Sequence, residues 1–161
     1  MGRREAEEVR KTQTLVNELV QQLNKISKLC ELKLTDDLVD PDKGKLSQLA
    51  KEFATAQREE DKLKPTQLRR VFHDFKRMEQ DLKRGKKLNL VELKLTVAEL
   101  AYARGRGVIP QPFYELMKAL LLKVSDGNDL ASLISILTVL LAYHKYYEKS
   151  KPQQQRQGGE A

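Results

Sequence analysis

Long stretches of the chain consist of residues that favour helix, and few of its residues favour strands or turns. Leu, Ala, Glu, Lys, Arg and Gln dominate, and the 161 residues include only five prolines and eight glycines. Apolar residues recur three or four positions apart, which places them on one side of a helix. The sequence therefore predicts an all-α fold, a single compact bundle of about five or six helices formed by residues 1–149.

The first predicted helix is long and amphipathic and covers residues 4–34. Its apolar residues form a heptad-like stripe, which fits a coiled coil with a partner and also fits a bundle helix that lies on its own core. A loop is predicted over 35–45. Further helices are predicted over 45–57, 65–84, 90–104, 113–124 and 129–149, and Gly105 is expected to cap the fourth helix. The polar segment 150–161 is predicted to be disordered.

The last two predicted helices are apolar over more than half of their circumference and should form the centre of the bundle. Core positions are predicted at Leu68, Phe72, Phe75, Leu133, Leu137 and Leu140. The apolar run from Leu130 to Tyr143 is shorter than a membrane span and is interrupted by polar residues. The first residues resemble neither a signal peptide nor a transit sequence. These features predict a soluble cytoplasmic protein with no membrane partner.

Positive charge is concentrated in one short segment. The chain has a net charge of +7, and residues 62–87 alone carry ten basic and three acidic residues, whereas the segments before and after it nearly balance. On a helical projection the apolar side chains of this segment fall on one side and its cations on the other. Only Asp74 and Asp81 interrupt the cationic face, at its border. Like charges one turn apart repel each other, so a polyanion is the natural partner of such a face.

The segment LAYARGRG (100–107) is a second candidate for binding. Arg104 and Arg106 flank Gly105 beyond a helix end, where a phosphate can approach the backbone, and Tyr102 could stack on a base. A capped helix with two solvated arginines and a half-buried tyrosine explains the same spacing. The candidate RNA-binding residues of both segments are Lys62, Lys64, Arg69, Arg70, Lys76, Arg77, Lys83, Arg84, Arg104 and Arg106.

Catalytic and metal-binding patterns are not found. Cys30 is the single cysteine, which excludes an internal disulfide and a cysteine-cluster zinc site. Of the two histidines, His73 lies among cations, and His144 faces the apolar side of the last helix, where a hydrogen-bonded core histidine is expected. Asp74 and Asp81 could hold Mg²⁺ in a nuclease only with a third ligand. The sequence predicts a protein that is not an enzyme, with no metal and no cofactor.

Three segments together resemble a known family. KLKPTQLRRVFHDFKRME (62–79), LAYARGR (100–106) and AYHKYY (142–147) are similar, in order and spacing, to the small subunit of type III-A CRISPR effector (Csm) complexes. The resemblance covers about residues 62–149. It implies an all-helical, non-catalytic subunit that takes part in antiviral defence, with several copies stacked along the groove that holds guide RNA and target RNA.

The resemblance also suggests roles for particular residues. It implies phosphate contacts, without base reading, by Lys62, Lys64, Arg69, Arg70, Arg77, Arg104 and Arg106. The implied partners are guide RNA, target RNA, the other subunits and further copies of this chain, with self-association expected to be weak and head-to-tail. A helical adaptor that binds an acidic protein through the same basic face remains an open alternative.

Overall fold

The computed structural model describes the backbone of residues 2–159 and the side chains as far as Glu148. Within this part of the chain there are seven α-helices, two 3-10 turns and no strand, which confirms the all-α prediction. The helices are α1 (Arg3–Asn24), α2 (Asp36–Val39), α3 (Lys45–Thr55), α4 (Pro65–Lys83), α5 (Leu90–Gly105), α6 (Gln111–Leu121) and α7 (Gly127–Gly159), and the turns are Leu29–Glu31 and Glu59–Asp61. The helix beyond the predicted six is α2, a single turn inside the predicted loop 35–45.

The two most apolar helices lie at the centre, as predicted. α7 packs against α3 and α4, and α6 packs against α1 and α5. Five of the six predicted core residues are no more than 2% exposed: Leu68, Phe75, Leu133, Leu137 and Leu140. Phe72 differs, because it is only half-buried at the edge of the core. The predicted orientation of α4 on the core is therefore confirmed, but its buried apolar face is narrower than predicted.

Helix α1 is shorter than predicted and ends at Asn24 instead of continuing to residue 34. Beyond it, the backbone N–H of Leu29 donates to the carbonyl of Lys123 at 2.9 Å, and the Lys123 ammonium donates to the carbonyl of Ile26 at 2.8 Å. These bonds to the end of α6 replace the helical ones. The buried residues of α1 are Thr12, Leu15, Val16, Leu19 and Leu23, and α1 packs on α3 and α6. Its stripe is thus the face of a bundle helix.

The carboxylate of Asp129 joins the segment after α1 to the start of α7. The side chain is completely buried and accepts hydrogen bonds from the backbone N–H of Cys30 and from the N–H and hydroxyl of Ser125, each at 2.9 Å. The ammonium of Lys28 lies 3.6 Å away and also pairs with Asp126. Burial alone would raise the pKa of Asp129, but the hydrogen bonds from Cys30 and Ser125 outweigh it and hold the pKa far below its usual value.

Helix α7 combines length with a buried apolar face. Its segment Gly127–Glu148 is long and apolar enough to cross a membrane by length and composition alone. Leu130, Leu133, Leu137 and Leu140, however, are buried against the other helices, as in the central helix of a soluble protein. The backbone of α7 continues as helix to Gly159. The side chains of the segment 150–161 lie outside the described ones, and its predicted disorder stays a prediction.

Two neighbouring phenylalanines on α4 test the packing. Phe75 is fully buried and Phe72 is half-buried. We expect Phe75→Ala to lower the free energy of unfolding by about 3–5 kcal/mol, the usual cost of a large-to-small core change. Phe72→Ala, the matched control, should cost clearly less because water already reaches its ring. Urea denaturation of both variants measures the difference, and a loss below about 1 kcal/mol for Phe75→Ala would contradict the packing.

The Asp129 carboxylate gives a second stability test. We expect Asp129→Ala to cost about 2–4 kcal/mol, because each buried donor left without an acceptor costs roughly 1–3 kcal/mol. Since the folded pKa lies below the unfolded value of 3.8, this contribution is complete above that pH and is lost as the pH falls through acid. Acid unfolding of the variant should therefore begin from a lower stability and be less steep. Asp126→Ala, at the half-exposed neighbour, is the control and should cost less.

Candidate nucleic-acid interface

Helix α4 holds the basic segment with one side fixed against α7. It begins at Pro65, which is favourable at the first helical position because no N–H is needed there. Its buried residues Leu68, Val71, Phe75 and Met78 face the core. The helix ends just before Gly85, whose φ of +89° is left-handed and suits a glycine. The opposite side of α4, with its cations, is therefore directed towards solvent.

The cations near the start of α4 form no ion pair with an acidic residue among the described side chains. Lys64, Arg69 and Arg70 are exposed, and Lys62 is half-buried. No ion pair involves any of the four within the described part of the chain. We call Lys62, Lys64, Arg69 and Arg70 the unpaired cluster. Glu148 lines a pocket beside Arg69 but forms no ion pair with it, and four cations without an ion-paired carboxylate form a surface that favours an anion.

The cations in the second half of α4 are paired instead. Glu79 lies 3.0 Å from Lys76 and 3.8 Å from Lys83. Arg77 contacts Glu92 of α5 at 2.5 Å, and the hydrogen bond to Glu92 is the main reason why the pKa of Arg77 is raised. We call Lys76, Arg77 and Lys83 the paired cluster. Arg84, the remaining candidate at this end of α4, is exposed and makes no ion pair within the described residues.

Sequence reasoning missed these acidic partners for two different reasons. On a helical projection Glu79 falls at the edge of the apolar side of α4 and not on the basic side. Only Asp74 and Asp81 were therefore expected to interrupt the basic face. Its spacing of three from Lys76 and four from Lys83 was the available signal. Glu92 belongs to another helix, and no periodicity within α4 could reveal it. The basic face is therefore continuous in sequence but divided in its electrostatics.

The second candidate segment, residues 100–107, lies at the C-terminal end of α5. The side chain of Asn89 caps its first turn by accepting from the N–H groups of Val91 and Glu92. At the other end Gly105 remains helical, and Gly107, with φ of +76°, takes the left-handed position predicted for Gly105. The cap extends two residues further than predicted because the N–H of Val108 returns to the carbonyl of Ala103 at 3.0 Å.

Arg104 and Arg106 have different surroundings. Arg104 is half-buried, and its Nε donates to Gln111 at 2.9 Å. Arg106 is exposed and lies over the ring of Tyr102, with 5.7 Å between the guanidinium and the ring centroid. Tyr102 is 67% exposed, so the alternative of a half-buried tyrosine is wrong. No hydrogen bond or ion pair among the described side chains links either arginine to α4.

Arg104 also borders an acidic groove. The groove has a volume of about 160 Å³ and is lined by the first half of α1, the ends of α3 and α5, the start of α6 and the 58–61 turn. Its charged lining consists of Glu8, Glu52, Glu60, Asp61, Arg58 and Arg104. Carboxylates outnumber guanidinium groups there. The sequence expectation that Arg104 meets a phosphate therefore finds less electrostatic support than the unpaired cluster.

His144 is a buried, hydrogen-bonded core histidine, as predicted. It is 2% exposed, and its Nε2 donates to the carbonyl of Leu63 at 2.7 Å, which ties α7 to the residue between Lys62 and Lys64. Burial lowers the pKa of His144, and Lys62 and Lys145 lower it further, against the opposing effects of Leu63 and Glu148. The imidazole is neutral at pH 7, so it adds no charge to the basic face.

The two aspartates of the nuclease alternative do not form a metal site with other residues. Asp81 lies 3.5 Å from Arg77 and 3.9 Å from Lys86, so its oxygens already face cations. No group of three or more His, Cys, Asp or Glu side chains that could hold a metal ion occurs among the described residues. Within the part of the chain that the structure describes, Asp74 and Asp81 therefore have no third ligand.

The part of the chain that contains the basic α4, the end of α5 and His144 matches a known family. Residues 40–150 match the family model described as Csm2 Type III-A. The chain belongs to this family. The match confirms the resemblance to the small subunit of the type III-A Csm complex and also extends it, because it includes α3 as well as residues 62–149. No curated protein and no solved structure matches the chain.

Family membership gives the general role of the protein. Csm2 proteins are structural subunits of the type III-A CRISPR complex, and the chain associates with the other subunits of that complex. Helix α1 and the turn that follows it lie before the matched region. The matched region thus contains the basic helix α4, the part of α7 against which it packs, and α3.

The pKa of His144 can be checked directly. We expect a value below 6.5 in the folded protein, because burial disfavours the imidazolium. As the pH falls below 6.5 the unfolded chain binds a proton that the folded chain does not, so stability should decrease between about pH 7 and pH 5. Proton NMR measures the pKa, and a His73→Gln variant identifies the His144 signal. A folded value above 6.5 would contradict the buried, neutral assignment.

Proposed function

We propose that this protein binds RNA as a non-catalytic subunit of the type III-A complex, through backbone phosphates of the guide and its target. The observation that carries the proposal is the unpaired cluster. Lys64, Arg69 and Arg70 are exposed at one end of a helix whose other side is fixed, and no carboxylate among the described side chains forms an ion pair with them. Phosphate oxygens are the natural anions for exposed lysine and arginine side chains.

The backbone that carries the start of the unpaired cluster is also fixed by hydrogen bonds, which favours a role in RNA binding over that of a solvated surface. The carbonyl between Lys62 and Lys64 accepts the hydrogen bond of His144, and the N–H of Leu63 donates to the carbonyl of Phe53 at 3.0 Å. The backbone below the cations is thus joined to α3 and α7. A fixed backbone lowers the entropy lost when the side chains contact a phosphate chain.

The paired cluster has a secondary role in this proposal. Lys76, Arg77 and Lys83 can contact a phosphate only by leaving or sharing the carboxylates of Glu79 and Glu92. Arg84, Arg104 and Arg106 extend the surface without joining the unpaired cluster by direct contact. We therefore rank the unpaired cluster first among the predicted RNA-binding residues.

The remaining features of the proposed function follow from the same surface. Backbone contacts read no sequence, as suits a subunit of a machine in which base pairing selects the target. The protein requires no metal and no cofactor for this role, and we assign the cutting of target RNA to another subunit. We place the protein in the cytoplasm, with further copies of itself as neighbours in the complex.

One observation favours the second candidate, an adaptor for an acidic protein. The paired cluster already binds carboxylates, those of Glu79, Asp81 and Glu92, which is the chemistry that an acidic protein would present. The two candidates differ in which half of α4 they use. RNA binding depends on the unpaired cluster, whereas an acidic protein would compete for the paired one.

Binding of single-stranded RNA across a salt titration tests the proposal. We expect weak, sequence-independent binding with a log–log slope near −3, because each phosphate contact on a single strand contributes about 0.7. The double variant Arg69→Ala/Arg70→Ala should reduce the magnitude of the slope by about 1.4 and weaken binding to all sequences alike.

The matched control removes two cations that have an internal partner. Lys76→Ala/Lys83→Ala deletes the same charge, but both lysines contact Glu79, so the slope should change less. A third variant, Arg104→Ala/Arg106→Ala, measures the contribution of the α5 end. An unchanged slope in the Arg69/Arg70 variant would refute RNA binding by this face. A larger effect of the Lys76/Lys83 variant would instead assign the phosphate contacts to the paired cluster and contradict the ranking proposed above.

A further inference from the structure

The outer side of α5 carries an apolar stripe that nothing covers in the described part of the chain. Val91, Leu95 and Tyr102 are 65%, 57% and 67% exposed, and Ala98 between them is also exposed. The opposite side of α5 buries Leu93, Thr96 and Leu100. An ordinary surface helix has one apolar side, whereas α5 has two. The second side has the character of an interface.

The spacing of the stripe is that of a coiled coil. Val91, Leu95, Ala98 and Tyr102 follow each other at intervals of four, three and four, the alternation of d and a positions in a heptad. The flanking g and e positions are occupied by Lys94 and Glu99. Both are exposed, and neither forms an ion pair within the described residues.

The charges of Lys94 and Glu99 favour one kind of partner helix and one orientation of it. In a parallel pair of identical helices, a g residue faces the e residue five positions later on the partner. Lys94 and Glu99 are five positions apart, so each lysine would meet the glutamate of the other copy, twice per dimer. In an antiparallel pair, g faces g and e faces e, so that lysine would lie beside lysine. The charge pattern therefore complements a second copy in the parallel orientation.

We propose that two copies of this chain pair through α5, side by side and in parallel, about a two-fold axis. The contact uses none of the cations of the unpaired cluster, so it goes beyond RNA binding. A groove of about 200 Å³ beside the stripe, lined by apolar residues of α5 and the end of α6, continues the surface to Leu122, which is 58% exposed. A two-fold contact closes on itself, so it is separate from any head-to-tail contact of a stack.

Sedimentation analysis of the complete protein over about a hundredfold range of concentration tests the pairing. The stripe covers three helical turns, so we expect a reversible monomer–dimer equilibrium whose position follows concentration. Leu95→Glu places a charge in the seam and should raise the dissociation constant at least about tenfold. Leu34→Glu, the same change at an exposed leucine outside α5, is the control and should leave the equilibrium unchanged.

Charge exchange and cross-linking test the orientation. Lys94→Glu and Glu99→Lys should each weaken the dimer, and the double variant, which exchanges the two charges, should restore it. In a Cys30→Ser background, Leu95→Cys should form a cross-linked dimer on oxidation, because identical a positions face each other in a parallel pair. An antiparallel pair would instead cross-link when Leu95→Cys and Ala98→Cys proteins are mixed.

Three results would overturn the proposal: a protein that stays monomeric over the whole concentration range, a dimer that Leu95→Glu does not weaken, or cross-linking only in the mixed sample. Circular dichroism of each variant checks that the fold is retained, which is expected because all substituted side chains of α5 are exposed. The RNA salt slope of Leu95→Glu should equal that of the unsubstituted protein. Loss of pairing and loss of RNA binding are therefore distinguishable.

Discussion

The architecture depends on how the central helix α7 is attached at two points, one at its start and one in its middle. At its start the buried carboxylate of Asp129 holds the backbone of Cys30 and the turn at Ser125. In the middle of the helix His144 donates a hydrogen bond to the carbonyl of Leu63. Buried polar groups are costly unless they are hydrogen-bonded, and here each is satisfied by a segment distant in sequence. Apolar packing makes α7 central, and these two polar contacts fix its register against its neighbours.

This attachment explains how one helix can present cations without acidic partners. Helix α4 loses stability through repulsion along its first turns, but its apolar face lies against α7, and the segment before it is bonded to α3 and α7. The core therefore offsets a local electrostatic cost. The second half of α4 has the opposite arrangement, since Glu79 and Glu92 neutralise it. The start of α4 thus carries cations that can bind an anion, whereas the cations of its second half are neutralised within the protein.

Much of the fold could be predicted from sequence, because helical periodicity and cap residues are local signals. The starts of α3, α4 and α5 at Lys45, Pro65 and Leu90 agree with prediction. The end of α1 could not be predicted, because bonds to Lys123 and Asp129, about a hundred residues away, determine it. The candidate site shows the same division. The cations of α4 could be predicted because they form a stripe on a helical projection. The partner of Arg77 could not, because Glu92 lies on another helix. The acidic groove beside Arg104 could not be predicted either, because its lining comes from elements that meet only in the folded chain.

The position of α7 after the helices that it packs against has a consequence for the order of events during synthesis. Its hydrogen bonds reach back 99 residues to Cys30 and 81 residues to Leu63, and its apolar face completes the packing of α3 and α4. The earlier helices therefore leave the ribosome with their inner surfaces uncovered, and the core cannot close until α7 has emerged. Contacts of such long sequence separation slow folding and leave a nascent chain exposed to aggregation. Translation of α7 is thus the step that joins α3 and α4 to one core with the helices already packed on α6.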